Sequence, residues 1–331
     1  MNWYPWLNGP YRQLIGQYQA GRGHHALLIQ AEEGNGADAL VYGLSRWLLC
    51  QHPQGEKSCG ECHSCRLMLA GNHPDWHVLA PEKGKSALGI DRVRQVIDSL
   101  YHHAQQGGAK VVWLAQAEGL TEAAANALLK TLEEPPEKTH FLLGCRSAAR
   151  LLPTLRSRCS YWPLPTPPEA LSSQWILRQQ PAEAQSVATA LKLSRGAPLA
   201  AAALLQPERW QQRQQLCRML GELLPTRNLL ALLPQLNHED AAERLHWLST
   251  LLLDALKWQQ GAFHYLLNQD QQPLAAALAA AHSPGALQAT LQAWLTCRHQ
   301  LLTVTAVNRE LLLTECLLGW EARLAAPTPS F

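Results

Sequence analysis

Residues 26–40 read ALLIQAEEGNGADAL, and this stretch has the layout of a phosphate-binding loop between a strand and a helix. Ala26–Ile29 is a continuous apolar run, which is typical of a buried parallel strand. Gly34 and Gly36 allow a tight turn, and Ala39–Leu49 has the pattern of a helix. The order strand, glycine turn, helix is the one that cradles phosphates in nucleotide-binding folds.

The loop lacks the side chains that such a site needs. In the pattern G-x-x-x-x-G-K-[ST], a Lys reaches the β- and γ-phosphates and a Ser or Thr holds magnesium. Here Ala31 replaces the first Gly, Gly36 supplies the second, Ala37 stands in place of Lys, and Asp38 stands in place of Ser/Thr. A carboxylate at that point repels a triphosphate. The stretch therefore belongs either to another fold or to a nucleotide fold that has lost its nucleotide.

The composition is that of an ordinary soluble protein with two or three domains. Of 331 residues, 47% are apolar and 16% are charged, and the net charge of +2 is too weak to argue for polyanion binding. No basic segment followed by an apolar run opens the sequence, and apolar runs such as Trp247–Leu256 are too short to span a bilayer. We therefore expect a cytoplasmic protein without a membrane segment, in which nine Cys do not form a disulfide framework.

Four of the cysteines, Cys50, Cys59, Cys62 and Cys65, have the spacing C-x8-C-x2-C-x2-C. Such a set suits a closed tetrahedral site, and we interpret it as a structural zinc module. An iron–sulfur cluster is the main alternative, although the usual trailing C-x3-C-P is missing. Four unligated buried cysteines are the third possibility.

Strands and helices alternate through residue 164, which predicts a parallel α/β sheet with helices on both faces. The further predicted strands are Asp75–Ala80, Ala109–Ala115, His140–Cys145 and Tyr161–Leu164. The further predicted helices are Tyr11–Ala20, Asp91–His103 with Asp91 as N-cap, Thr121–Glu134 with Thr121 as N-cap, and Leu151–Arg156.

The strand at 109–115 would end in acidic residues that hold magnesium in a nucleotide-hydrolysing fold. Ala115 and Gln116 occupy that end instead, and the nearest carboxylate is Glu118. A second part of the ATP chemistry is therefore absent.

Prolines 163, 165, 167 and 168 mark a boundary, after which only helices are predicted. We predict domains at 1–165, 166–206 and 207–331. The longest predicted helices of the last domain are Glu239–Gln260, Ala286–Thr305 and Asn308–Leu324. We expect the tail, residues 326–331, to be disordered.

Residues 124–136, AANALLKTLEEPP, followed by Ser157-Arg158-Cys159, resemble the AAA+ clamp-loader subunits of bacterial DNA polymerase III. The four cysteines and the degenerate loop narrow the resemblance to stator-type members, which do not hydrolyse ATP. The resemblance covers essentially the whole chain. It implies an α/β plus α fold: an AAA+ domain of the P-loop type with an inserted zinc module, a small helical lid and a C-terminal helical collar.

The resemblance also implies partners and a role. The family forms a five-subunit ring that opens the sliding clamp and places it on primed DNA. Its other members are motor subunits of the gamma/tau type and a delta subunit. The chain would have no activity of its own and bind no nucleotide, although it belongs to a holoenzyme classed as a DNA-directed DNA polymerase. The family's arginine finger, which enters a neighbour's ATP site, corresponds to Arg158, with Ser157 and Cys159 as motif neighbours.

Two other functions stay open from the residues. A divergent ATPase would need a cation from outside the loop, such as Arg22 or Lys57, and Arg195 is only near the position of a nucleotide-contacting Arg in the family. Equilibrium binding of labelled ATP to the isolated chain distinguishes a divergent ATPase from a subunit that binds no nucleotide. A zinc-dependent DNA-binding protein would need a basic face on the metal module, where Glu56 and Glu61 offset the basic residues. Steep salt dependence of duplex binding would favour it.

Overall fold

A computed structural model describes residues 2–81, 87–304 and 306–325 of the chain. The chain forms two compact units, which meet in the sequence between Pro167 and Pro168. Residue 1, residues 82–86, residue 305 and the tail at 326–331 lie outside the described residues.

The first unit contains a five-stranded parallel sheet with the strand order β2-β3-β4-β1-β5. The strands are β1 (Ala26–Gln30), β2 (Trp76–Leu79), β3 (Lys110–Leu114), β4 (Thr139–Cys145) and β5 (Ser160–Pro163). The predicted parallel sheet is confirmed. Because parallel neighbours need crossover connections, every α-helix of this unit after the first lies between two strands in sequence.

The α-helices among the described residues of the first unit are α1 (Asn8–Gln19), α2 (Ala37–Leu49), α3 (His63–Leu69), α4 (Ile90–Leu100), α5 (Glu122–Glu133) and α6 (Pro153–Arg156). Five of these helices agree with the predicted pattern apart from their ends, and the sixth, α3, was not predicted. The N-cap at Thr121 is confirmed, since its hydroxyl accepts the Ala124 N–H at 3.2 Å. The N-cap predicted at Asp91 is wrong: Gly89 is the N-cap of α4, and Asp91 lies in the first turn, where the helix dipole favours a carboxylate.

Helices cover both faces of the sheet. Leu28, Val112 and Phe141 pack with apolar residues of α4 and α5 on one face. The alternate residues, such as Leu27 and Leu142, are equally buried and point to the other face, where α2 contacts β3. A sheet buried on both sides explains why its strands read as continuous apolar runs.

His140 is a titratable group inside this sheet. It lies on β4, and its ring packs edge-on against Tyr18 at a centroid distance of 5.5 Å. Its buried Nδ1 finds no hydrogen-bond partner among the described residues. Burial, with a smaller contribution from the charge of His25, lowers the pKa of His140 to about 4. The folded state therefore holds a neutral imidazole.

This shift predicts a loss of stability in mild acid. The unfolded chain binds a proton near pH 6.5, whereas the folded chain resists it until about pH 4. The stabilisation is thus complete above pH 6.5 and is lost as the pH falls toward 4, by about 2–3 kcal/mol. We expect His140→Phe to flatten the dependence of the unfolding midpoint on pH between 6.5 and 4.5. The exposed His103→Phe serves as the control for loss of an imidazole, and equal slopes in wild type and His140→Phe would contradict the prediction.

The second unit is helical throughout its described residues. Its α-helices are α7 (Glu169–Gln179), α8 (Ala184–Leu193), α9 (Pro198–Leu204), α10 (Pro207–Leu223), α11 (Leu233–Leu236), α12 (Ala241–Gln259), α13 (Gln272–Ala281), α14 (Pro284–Thr303) and α15 (Arg309–Ala325). Trp247, Trp294 and Trp320 are fully buried in one continuous apolar core. The predicted division of this unit at residue 206 stays a prediction. No helix among the described residues is long and apolar enough to cross a membrane.

A buried ion pair joins helices of the second unit. Arg213, on α10, is fully buried and donates to both oxygens of Asp270, at 2.6 and 3.0 Å. Its guanidinium also donates to Asn268 Oδ1 at 2.7 Å and lies over the Trp210 ring. Thr189 of α8 donates to Asp270 at 3.0 Å. The network therefore ties α8 and α10 to the loop before α13.

Loss of Arg213 should destabilise the second unit strongly. Arg213→Met leaves the Asp270 carboxylate buried without its cation, and we expect a loss of about 3–5 kcal/mol in unfolding free energy. Arg209→Met is the matched control on the same helix, because the Arg209–Glu243 pair is partly exposed and should contribute about 0.2–1 kcal/mol. Denaturant unfolding measures both. Equal losses in the two variants would show that the buried pair contributes no more to the unfolding free energy than the partly exposed pair.

Candidate functional site

The phosphate-type loop, residues 31–38, is anchored to its own chain. Gly36 has a φ of +88° and is the N-cap of α2, a conformation that strains residues with a Cβ. The buried Asn35 side chain donates to the carbonyl oxygens of Leu164 and Pro165 at 3.1 and 3.0 Å. Trp6 Nε1 donates to Asn35 O at 2.9 Å. These bonds fix the loop against the end of β5.

The charges around this loop are mainly negative or already paired. Asp38 is exposed in the first turn of α2. Glu33 forms an ion pair with Arg146, which follows β4. Glu118 accepts the N–H groups of Arg146 and Ser147 at 2.6 and 2.9 Å. Glu118, the carboxylate nearest in sequence to the end of β3, therefore organises the backbone after β4.

The four-cysteine cluster forms between α2 and α3. Cys50 directly follows α2, Cys59 lies in the connecting loop, Cys62 is the N-cap of α3, and Cys65 lies within α3. The four Sγ atoms lie within 4.8 Å of one another. The structure thus brings together all four residues that the spacing predicted.

The cluster has the dimensions of a metal site. Zn–S bonds of about 2.3 Å in a tetrahedron place sulfurs about 3.8 Å apart, and the Cys50–Cys59 and Cys59–Cys65 Sγ distances are 3.5 and 3.9 Å. The N–H groups of Cys59, Cys62 and Cys65 point at the Sγ atoms of Cys50, Cys59 and Cys62 at 3.3–3.4 Å. Such bonds stabilise thiolates, so the residues present fit zinc.

The cysteine pKa values differ according to local contacts. Backbone N–H groups of Cys62 and Glu61 lower the pKa of Cys59 to about 6. Burial raises the pKa of Cys50, and raises that of Cys65 to about 12. A bound cation would offset the cost of burying these thiolates. The nearby His52 and His63 are exposed and are not among the four ligands.

A buried polar chain connects the cluster to the sheet. Asp75 N–H donates to His73 Nδ1 at 3.1 Å, which leaves the His73 Nε2 proton to donate to Ser64 Oγ at 2.5 Å. Ser64 Oγ in turn donates to Leu49 O at 2.6 Å. Leu49 and Ser64 precede Cys50 and Cys65, so this chain orients two ligands. Sequence reasoning missed Ser64 and His73, because a single Ser between ligands carries no distinctive spacing.

The arginine motif, Ser157-Arg158-Cys159, follows α6. Arg158 donates from Nε and Nη2 to Glu133 Oε2 at 3.2 and 2.9 Å, and from Nη1 to Thr154 O at 2.9 Å. Ser157 Oγ donates to Thr154 O at 3.1 Å. The Cys159 thiol packs against the core, and burial raises its pKa to about 11. Cys159 therefore stays a neutral thiol at neutral pH.

The structure brings the two motifs of the resemblance into contact. Glu133, in the TLEEPP run, lies 25 residues before Arg158, and their side chains are in contact. The run itself gave no reason to single out Glu133. An acidic residue at the end of a helix is more often solvated.

The parallel sheet and the phosphate-type loop after β1 fit a domain of the AAA+ type, and comparisons with known families decide the class. Three family models match consecutive parts of the chain. They are "DNA polymerase III, delta subunit" over residues 7–168, "DNA polymerase III subunit delta', AAA+ ATPase lid domain" over 167–206, and "DNA polymerase III, delta subunit, C terminal" over 207–322.

Similar proteins agree with these matches. DNA polymerase III subunit delta' of Yersinia pestis is 66% identical, covering 100% of this chain and 98% of that protein. Subunit delta' of Escherichia coli K12 is 54% identical, covering 97% and 96%. Subunit gamma of Buchnera aphidicola is 31% identical over 48% of this chain and 46% of its own. The chain belongs to the DNA polymerase III subunit delta' family, a clamp-loader family of DNA replication.

Proposed function

We propose that the chain is the stator of a bacterial replicative clamp loader. It holds the ring without hydrolysing ATP and supplies Arg158 to the ATP site of a neighbouring subunit. The partners are motor subunits of the gamma/tau type and a delta subunit in a five-membered ring. The assembly loads the sliding clamp onto primed DNA in the cytoplasm, as part of the DNA polymerase III holoenzyme.

The loop supports the absence of ATP hydrolysis in this chain. Ala37 and Asp38 supply neither the cation nor the magnesium hydroxyl, and Asp38 adds negative charge next to the expected phosphate position. Arg146, a cation near the loop, is paired with Glu33. Within residues 31–38, all of which the structure describes, the divergent-ATPase alternative therefore finds no cation to neutralise the phosphates.

The observation that best supports a finger in trans is that the arginine motif is partly exposed at the surface. The Arg158 side chain is 29% exposed, and its three hydrogen bonds are to Glu133 and Thr154. A guanidinium stays charged and can fork onto two oxygens, so it suits the charge that develops on a γ-phosphoryl group. ATP turnover by the reconstituted assembly, with Arg158→Ala against wild type, tests this function.

We propose that zinc in the four-cysteine cluster is structural. Four protein ligands leave no open position for a substrate or water. The metal would connect the end of α2 to α3 and stiffen the insertion between them. A zinc-dependent DNA-binding protein would need a basic face on the module, and the charges here do not form one. Glu56 neutralises Arg12 in an ion pair, and Glu61 adds an exposed negative charge.

A further inference from the structure

One carboxylate oxygen holds the arginine of the motif from the side. Glu133 is the last residue of α5, and α5 packs against α6, just before Arg158. Glu133 Oε2 accepts both the Nε–H and one Nη2–H of Arg158. The contact therefore fixes the plane of the guanidinium as well as its position.

Two N–H donors of the Arg158 guanidinium are not used by Glu133 or Thr154. Arginine has five N–H donors. Glu133 takes two of them, and Thr154 O takes one from Nη1 at 2.9 Å. One N–H on each terminal nitrogen is left, and two donors are what a phosphate group accepts from an arginine fork. The bonds to Glu133 and Thr154 need not break for Arg158 to bind phosphate.

Stability alone is a poor reason for this pair. The Glu133 side chain is 62% exposed, and ion pairs of such exposure contribute little to folding. Immobilising a long arginine side chain costs conformational entropy. If the Arg158 side chain is already ordered before the neighbour's ATP binds, this entropy cost does not add to the barrier for hydrolysis.

We propose that Glu133 is a positioning residue for Arg158, which orients the guanidinium toward the γ-phosphate of the neighbouring subunit's ATP. The inference rests on the proposed function of Arg158 and adds a residue that acts through it. It concerns only the orientation of the finger. The chemistry in the neighbour's site is unchanged.

The test is ATP hydrolysis by the reconstituted clamp loader with sliding clamp and primed DNA. For Glu133→Ala we expect the pre-steady-state hydrolysis rate at the site that Arg158 serves to fall about tenfold with ATP affinity unchanged, because the finger contributes in the transition state and not in ground-state binding. Glu133→Gln should recover most of the rate, since its amide oxygen accepts the same two hydrogen bonds. Glu137→Ala, an exposed carboxylate four residues later, is the matched control.

The double variant distinguishes the positioning role of Glu133 from the proposed role of Arg158 as the finger. Glu133→Ala combined with Arg158→Ala should be no slower than Arg158→Ala alone, since both act through one group. Slow turnover in Arg158→Ala with full turnover in Glu133→Ala would overturn the positioning role and leave the finger intact. Faster turnover in Glu133→Ala would also overturn it, by showing that Glu133 restrains the finger. Unchanged turnover in Arg158→Ala would remove the proposed function itself. Gel filtration establishes that the rings compared are assembled, and Glu133→Met, which keeps a similar length without an acceptor oxygen, serves if Glu133→Ala fails to assemble.

Discussion

Arg158→Ala should abolish most of the clamp- and DNA-stimulated ATP turnover at the site that Arg158 serves. A finger in trans accelerates hydrolysis by about 10³–10⁵, or roughly 4–7 kcal/mol of barrier. Arg158→Lys should recover little, because an ammonium ion cannot form the same fork. Since the proposed ring would have further ATP sites, pre-steady-state hydrolysis is the measurement, and the amplitude lost gives the share of this site.

The control for this variant lies two residues earlier. Arg156 is exposed at the end of α6, so Arg156→Ala removes the same charge near the motif without removing the finger. We expect Arg156→Ala to retain the wild-type amplitude. Unchanged turnover in Arg158→Ala, with assembly intact by gel filtration, would reduce Arg158 to a structural residue that only holds Glu133 and Thr154.

Cys62→Ser should release the metal and lower the stability of the first unit. A serine hydroxyl is a far weaker zinc ligand than a thiolate, and Cys62 also caps α3 through its Sγ. Structural zinc contributes about 10–16 kcal/mol in isolated zinc-finger peptides. We expect a smaller loss here, because the sheet of this unit has an extensive core of its own. Zinc content by elemental analysis and the thermal unfolding midpoint measure the two effects.

Cys316→Ser is the control for loss of a cysteine, since Cys316 lies on α15, outside the cluster. It should keep full metal content and the midpoint of the first unit. A Cys62→Ser protein with full metal content and an unchanged midpoint would contradict the four-cysteine assignment. Iron and visible absorbance in the wild-type protein would favour the iron–sulfur alternative.

The parts of the fold that the sequence predicted correctly are those encoded by local patterns. The apolar runs at β1, β3 and β4 marked buried parallel strands, and Thr121 marked the start of α5, because both signals act over a few residues. Helix ends were less accurate. Asp91 has the chemistry of an N-cap, but α4 begins one residue before it, and first-turn and cap positions favour the same side chains.

The sequence by itself determined the cysteine cluster, since its spacing is local, and the degenerate loop, since missing side chains need no coordinates. Resemblance then proposed Arg158 as the finger, and that role stays a prediction. Only the tertiary structure decided what these residues contact: Glu118 on the backbone after β4, Ser64 and His73 behind the cysteines, and Glu133 on Arg158. These contacts join residues on separate elements of the first unit. Their geometry depends on how strands and helices pack, and no short stretch of sequence encodes that packing.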